Sequence, residues 1–155
     1  MLNYLYVFVI SMVPIVELRG AIPVGYGMGL PFFVNYIICC IGNLIPVPFI
    51  LLFIKWLLNF MSFSKIGFFN KTANFVLKKA EKNKGKITKY ATWGLFLFVA
   101  IPLPGTGAWT GALVASLLDM KRSRAMLSIT AGVVAAGLIM SLICYGFIDF
   151  LRFLI

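Results

Sequence analysis

The sequence contains no histidine and very little negative charge. Of its 155 residues only four are Asp or Glu, and 12% are charged in all. Histidine is the commonest general base and the commonest metal ligand, and no other ligand types cluster at metal-site spacing. We therefore expect no catalytic residues, no metal and no cofactor, and an enzyme is the least favoured class.

The low charge also argues against a soluble fold. A soluble domain carries about 25% charged residues, whereas this chain is 62% hydrophobic. Its three cysteines lie in apolar runs and are expected to be reduced core thiols. The first apolar run lacks a basic start and a small-residue cleavage site, so we expect it to remain in the mature protein. The composition predicts an all-α integral membrane protein.

Four apolar blocks make up most of the chain: 2–30, 32–54, 90–118 and 125–148. The second and fourth have 23 and 24 residues without a charge. At about 1.5 Å of rise per residue, each is long enough to cross a hydrocarbon core of roughly 30 Å. These two blocks are predicted to be transmembrane helices.

The first and third blocks are interrupted near their middles. Glu17 and Arg19 interrupt the first, and the proline- and glycine-rich segment 102–107 interrupts the third. The arms that follow, 21–30 and 108–118, are only about half a bilayer long as helices. Each of these blocks is therefore predicted to be a re-entrant hairpin.

The basic residues predict the orientation. Eight of the fourteen Lys and Arg lie from Lys65 to Lys89, and three more lie from Lys121 to Arg124. Both clusters adjoin apolar runs, so we interpret them as cytoplasmic segments near anionic lipid and not as a nucleic-acid surface. This placement favours a re-entrant third block, and Pro31 and the C-terminal end then lie outside.

The order of elements predicts two inverted repeats, each with one re-entrant hairpin and one transmembrane helix. The first repeat is 1–55 and the second is 90–155, in a single membrane domain. A shift of 88 residues aligns Pro14 with Pro102 and Leu30 with Leu118. The segment 56–89 is interpreted as a basic, amphipathic cytoplasmic connector on the membrane surface, with a solvated linker as the alternative.

Glu17 and Arg19 are the strongest candidates for a site, because charged groups at bilayer depth often mark substrate pathways. The alternative is a pair that neutralises itself and fixes the hairpin tip. The helix N-termini expected at Gly20 and Gly107 would favour an anion, although a tightly packed turn explains the second segment equally well. The candidate substrate-binding residues are Glu17, Arg19, Gly20, Ala21, Pro23, Pro102, Pro104, Gly105, Thr106, Gly107 and Trp109, with Asn43 as a possible secondary one.

Two segments resemble a known family. Glu-Leu-Arg-Gly-Ala-Ile-Pro at 17–23, within 14–31, and Ile-Pro-Leu-Pro-Gly-Thr-Gly-Ala-Trp at 101–109 look like the small multidrug export protein family. The paired hairpins also resemble the DedA superfamily, whose members are associated with moving undecaprenyl phosphate across bacterial membranes. That similarity implies that Glu17 and Arg19 match the acidic and basic groups of the first hairpin. DedA-like proteins carry an arginine in the second hairpin, whereas 99–111 has no charge here.

These observations favour a transporter of an anionic amphiphile, and the best candidate substrate is a lipid-linked phosphate such as undecaprenyl phosphate. The expected mechanism is alternating access around the hairpin tips, coupled to protons through Glu17. The alternatives are an exporter of hydrophobic cations and a small channel. Two transmembrane helices shield two hairpins poorly from lipid, so a homodimer is expected. The expected location is the plasma membrane of a bacterium or archaeon, with several crossings.

Overall fold

The computed structural model describes residues 2–53, 84–103 and 105–147. Every regular element in these ranges is helical, which confirms the all-α part of the predicted fold. Most of the expected connector, and Asp149 and Arg152, lie outside the described residues. The helices are α1 (Leu2–Met12), α2 (Glu17–Gly27), α3 (Phe32–Leu44), α4 (Lys84–Ala100), α5 (Ala108–Leu117) and α6 (Arg122–Ser141), and a π-helical stretch, Leu142–Phe147, extends α6.

Two helical segments are long and apolar enough to cross a membrane. The first is Phe32–Phe53, with 22 residues, and the second is Arg122–Gly146, with 25 residues. The first consists of α3, a turn at Ile45 and a further helical stretch, 46–53. These lengths correspond to about 33 and 37 Å of helix, against roughly 30 Å of hydrocarbon. Both predicted transmembrane blocks are confirmed as candidate spans.

The other helices of the hairpins are shorter. The helices α1 and α2 have 11 residues each and α5 has 10, which is about 15–17 Å of helix. Pro14 follows the end of α1 closely, and it has no N–H group and restricts the residue before it. In the second half α4 ends at Ala100, just before Pro102. The breaks therefore follow from the prolines.

The start of α2 differs from the sequence expectation. We expected a helix from Ala21 onward, but α2 begins at Glu17. The N–H groups of Glu17 and Gly20 already donate to the carbonyls of Val13 and Val16, at 3.0 and 2.9 Å. The break is a tight turn at 13–16, so Gly20 and Ala21 lie inside the helix and do not offer a free N-terminus.

The turns that end α2 and α5 have the same hydrogen-bond pattern. Leu30 N–H donates to the Gly25 carbonyl, and Met120 N–H donates to the Ala115 carbonyl, each at 3.0 Å. The residue before each donor, Gly29 or Asp119, has a positive φ, of 75° or 49°. The two turns are 90 residues apart (115 − 25 and 120 − 30), so they match at a shift of 90 and not at the predicted 88.

Helix α6 is the centre of the packing. It contacts α2, α3, α4 and α5, while α1 packs against α2 and α3. Glycines allow the close approaches: a Cβ at Gly132 would lie 2.7 Å from Val99 Cβ, and one at Gly137 would lie 2.9 Å from the Tyr36 ring. These two glycines of α6 therefore lie against neighbouring helices.

Near the start of α3, Asn35 Nδ2 donates to the hydroxyl of Tyr145, which lies just beyond the end of α6. Farther along α3, Cys40 Sγ would lie 3.0 Å from a Cβ at Gly137, earlier in α6. The two long helices therefore run in opposite directions.

Candidate functional site

The centre of the candidate site is the Glu17 carboxylate. Glu17 is 4% exposed, and its Oε1 accepts a hydrogen bond from the Trp109 backbone N–H at 3.1 Å. Trp109 is the second residue of α5, so this N–H is one of those that the helix itself cannot satisfy. A side chain of the first hairpin thus caps a helix of the second, where the helix dipole also favours negative charge.

Two glycines shape the segment before α5. A Cβ at Gly107 would collide with the Glu17 carboxyl group, so the absence of a side chain there lets the carboxylate approach. The Gly107 N–H donates to Thr110 Oγ1 at 2.8 Å. Gly105 has φ +86°, a left-handed conformation that glycine adopts without strain. The glycine-rich sequence therefore meets two different requirements, close approach and backbone conformation.

Arg19 lies beside Glu17 and points toward the end of α4. Its Nη1 is 3.4 Å from Glu17 Oε2. Its Nη2 lies 3.3 Å from the Val99 carbonyl, 3.1 Å from the Ile101 carbonyl and 3.0 Å from Thr106 Oγ1. The Val99 carbonyl lies in the last turn of α4 and the Ile101 carbonyl directly follows the helix; a cation is favourable at such a C-terminal end. Arg19 Nε is buried and has no hydrogen-bond partner in the described part of the chain.

Trp109 also links the two hairpins through its side chain, with the donor in the second hairpin and the acceptor in the first. Its indole Nε1–H donates to the carbonyl of Met12, the last residue of α1, at 3.1 Å. The first hairpin therefore supplies Glu17 and Arg19 to the broken ends of the second, and the second returns an indole donor to the end of α1. We call this set of contacts between Glu17, Arg19, Thr106, Gly107 and Trp109 the cap cluster.

The structure brings together only some of the predicted residues. Those in the cap cluster meet, and Pro102 and Gly105 lie in the adjoining turn. Pro23 is exposed on α2, and Ala21 is fully buried in the core. Pro104 lies outside the described residues. Asn43 is fully buried, and neither its Oδ1 nor its Nδ2 has a hydrogen-bond partner in the part of the chain that the structure describes.

A second polar cluster, which we did not expect from the sequence, joins α2, α3 and the end of α6. Asn35 Nδ2 donates to the Ile22 carbonyl at 2.9 Å and to Tyr145 Oη at 3.0 Å. The Tyr145 hydroxyl donates to the Leu30 carbonyl at 2.6 Å. An Asn within an apolar block was the available signal, because a buried amide needs partners, but nothing local identifies Tyr145.

The cap cluster brings together groups that bind ligands through charge and hydrogen bonds. It combines a carboxylate, a guanidinium, a hydroxyl and backbone N–H groups. Across 2–53, 84–103 and 105–147 no group of three or more His, Cys, Asp or Glu is placed to bind a metal.

Comparison with known proteins gives one match. A family model described as "Putative small multi-drug export protein" matches residues 17–139, which is more than half of the chain. The matched range begins at Glu17 and includes both segments of the cap cluster. No curated protein and no solved structure matches the chain.

Proposed function

The chain belongs to the small multidrug export protein family, and from this premise we propose that it is a membrane transporter of an anionic amphiphile. The leading candidate is a lipid-linked phosphate such as undecaprenyl phosphate. The family description supports export in general. The observation that carries the finer proposal is the position of the Glu17 carboxylate, held between the α5 N-terminus and Arg19.

In this proposal the Glu17 carboxylate occupies the position that the anionic substrate would take. Its oxygens occupy a place where a backbone N–H, a guanidinium and a helix dipole all favour negative charge. A phosphate presents oxygens of the same kind, and the Arg19 guanidinium can grip two of them. Substrate and Glu17 then compete for the same donors, and protonation of Glu17 releases them. Transport is coupled to protons through this exchange.

The fold proposal extends to re-entrant hairpins in inverted repeats. Each half has a helix pair with a short second member, followed by a long helix, and the long helices run in opposite directions. The matching turns that end α2 and α5 support a repeated unit. In transporters built from such repeats, the substrate site lies near the midplane, where broken helices meet. We therefore place the alternating-access site at the cap cluster. In a multi-pass arrangement of this kind in the plasma membrane, the basic connector contacts anionic lipid on the cytoplasmic side.

A hydrophobic cation is the second candidate substrate. The family description favours it, and a buried carboxylate is the group that a cation would bind. Arg19, whose Nη1 is 3.4 Å from Glu17, opposes it, because a bound cation must replace the guanidinium or lie beside it.

Ligand-induced thermal stabilisation of the purified protein separates the two. The ligands are undecaprenyl phosphate and tetraphenylphosphonium, and the proteins are the wild type, Arg19→Lys, Glu17→Gln and the exposed control Arg124→Lys. Each shift is taken relative to the same variant without ligand. The proposal expects the phosphate lipid to stabilise the wild type, the control and Glu17→Gln, and to stabilise Arg19→Lys much less, because lysine lacks the planar fork.

A proton-coupled transport assay in vesicles adds a second reading. Glu17→Gln should bind the phosphate lipid but lose the dependence of transport on a pH gradient. Stabilisation by the cation alone, abolished in Glu17→Gln and unchanged in Arg19→Lys, would overturn the anion proposal in favour of drug export.

A further inference from the structure

Asn43 is a buried amide whose hydrogen-bonding groups are both unused. Its side chain is fully buried, and neither Oδ1 nor Nδ2 has a partner among the described residues. Asn35, on the same helix and equally buried, bonds the Ile22 carbonyl and the Tyr145 hydroxyl. Burying an amide without partners costs free energy, so we looked for a group that Asn43 could bond in another state of the protein.

The register between α2 and α3 places Asn43 opposite Glu17. The two helices run antiparallel across the short connection 28–31, and a Cβ at Gly25 would collide with the Asn35 side chain. Residues four apart share a helix face. From the contact of Gly25 with Asn35, the next buried residues at this spacing are Ala21 and Glu17 on α2 and Cys39 and Asn43 on α3. Glu17 and Asn43 therefore lie at the same level, each about 12 Å of helix from that contact.

Helix α1 gives a second measure of this level. A Cβ at Gly42 would collide with Ser11 Oγ, so the turn of α3 that holds Asn43 lies against the end of α1. The residue after Ser11 is Met12, whose carbonyl accepts the indole N–H of Trp109 in the cap cluster. Two independent contacts thus place Asn43 at the level of the cap cluster.

The two groups that bond the Glu17 carboxylate are both donors, namely the Trp109 N–H and Arg19 Nη1. Arg19 is the charged group beside Glu17; α5 contains no titratable residue, and α3 contributes the thiol of Cys39, one turn before Asn43. A neutral carboxyl group has its own O–H and needs an acceptor, which neither donor supplies. The free amide of Asn43 offers an acceptor and a donor together, and a carboxylic acid can bond both at once.

We propose that Asn43 is the hydrogen-bond partner of Glu17 when Glu17 is neutral. The Glu17 O–H donates to Asn43 Oδ1, and the Glu17 carbonyl oxygen accepts from Nδ2. On protonation Glu17 then leaves Arg19 and the Trp109 N–H, and both donors become available to the phosphate of the substrate. Asn43 is a positioning residue that holds the neutral acid away from these donors. The inference rests on the proton exchange in the proposed function.

A double-mutant cycle between positions 17 and 43 tests this contact. Glu17→Gln replaces the carboxylate by an amide, which has a donor and an acceptor as the neutral acid does. With Glu17 present, at alkaline pH, Asn43→Leu removes an unbonded buried amide and should leave the melting temperature unchanged or raise it. In the Glu17→Gln background the same substitution should lower the melting temperature, by roughly 2–4 °C for each net hydrogen bond lost.

Two other buried polar residues are matched controls. Asn35→Leu removes a bonded amide and should lower the melting temperature in both backgrounds. Ser141→Ala removes a hydroxyl that is fully buried and unbonded in the described part of the chain, and its effect should be the same in both. An effect of Asn43→Leu that is also the same in both backgrounds would overturn the proposal.

Transport adds a measurement that a purely structural role would not affect. In vesicles, Asn43→Leu should lower transport driven by a pH gradient several-fold, while undecaprenyl phosphate still stabilises the variant. Unchanged transport would overturn the role of Asn43.

The contact and the proposed function can fail separately, because the cycle is measured without ligand. A change of sign in the cycle, without stabilisation of any variant by undecaprenyl phosphate, retains the contact and removes the substrate. Stabilisation by the phosphate lipid with no change of sign retains the substrate and removes the contact.

Discussion

Glu17 and Trp109 are 92 residues apart in the chain, yet the Glu17 carboxylate accepts a hydrogen bond from the Trp109 backbone N–H at 3.1 Å. One residue of the first hairpin thereby caps α5, the second helix of the second hairpin. A second hydrogen bond links the two hairpins at this point, because the Trp109 indole N–H donates to the carbonyl of Met12 at the end of α1. The predictions below test these contacts and the topology around them.

Gly107→Ala should destabilise the protein by about 1–3 kcal/mol, the usual cost of overpacking a close contact. Its Cβ would meet the Glu17 carboxyl group, whereas a Cβ at Gly94, inside α4, would meet nothing within 4 Å. Gly94→Ala is therefore the matched control and should be neutral or stabilising by about 0.5–1 kcal/mol. Unfolding in a detergent titration measures both. Equal effects would show that Gly107 is not a site of close approach.

Glu17→Gln and Arg19→Met should not be additive. Removing one partner of a buried ion pair costs about 3–5 kcal/mol, because the other charge remains buried. The double variant leaves no isolated charge, so its loss should be smaller than the sum of the single losses. A double-mutant cycle in the same unfolding assay checks this, with the exposed Arg124→Met as control. Strictly additive losses would show that the two side chains act independently.

Tyr145→Phe should loosen the junction of α2, α3 and α6. It removes a hydroxyl that bonds the Leu30 carbonyl at 2.6 Å and accepts from Asn35 at 3.0 Å. Each hydrogen bond contributes about 0.5–1.5 kcal/mol net, and both are lost. Tyr90→Phe, at a position that is 81% exposed, is the control and should change little. Melting temperatures of the two variants give the comparison, and similar values would argue against a bonded Tyr145.

The topology can be tested by labelling from outside the cell with an impermeant maleimide. Cysteines introduced at Lys84 and Ser123 should stay unlabelled, and one at Ile155 should react, because the basic segments are expected to be cytoplasmic. The native cysteines contribute little background because all three are buried. Labelling at Ser123 from outside would mean that the third block crosses the membrane, and the inverted repeat would be wrong.

The sequence predicts well whatever depends on local chemistry. Uncharged length alone indicates the spans that contain α3 and α6, and the segment from Pro102 to Gly107 marks the second break and the start of α5. The predicted start of α2 was wrong because we took the charged residues Glu17 and Arg19 as the interruption of the first apolar block. Pro14, three residues before Glu17, ends the first helix, and the charged residues then fit within the next one.

The partners of the candidate site could not be predicted in the same way. Glu17 and Arg19 were identified because burying charge at bilayer depth costs free energy. Their hydrogen-bond partners Val99 and Trp109, however, lie 80 and 92 residues away in the chain. No local pattern relates Arg19 to the Val99 carbonyl, so the sequence predicted neither this contact nor the hydrogen bond from the Trp109 N–H to Glu17. Asn35 and Tyr145 were missed for the same reason, since they are 110 residues apart.

The long separation between Glu17 and Trp109 has a consequence for biosynthesis. A ribosome adding about 5–20 residues per second needs roughly 5–18 s to make the 92 residues between them. During that delay Glu17 and Arg19 lack their carbonyl and N–H partners in the second half of the chain. The nascent first half therefore cannot reach its final state alone, and its maturation depends on emergence of the 99–109 segment.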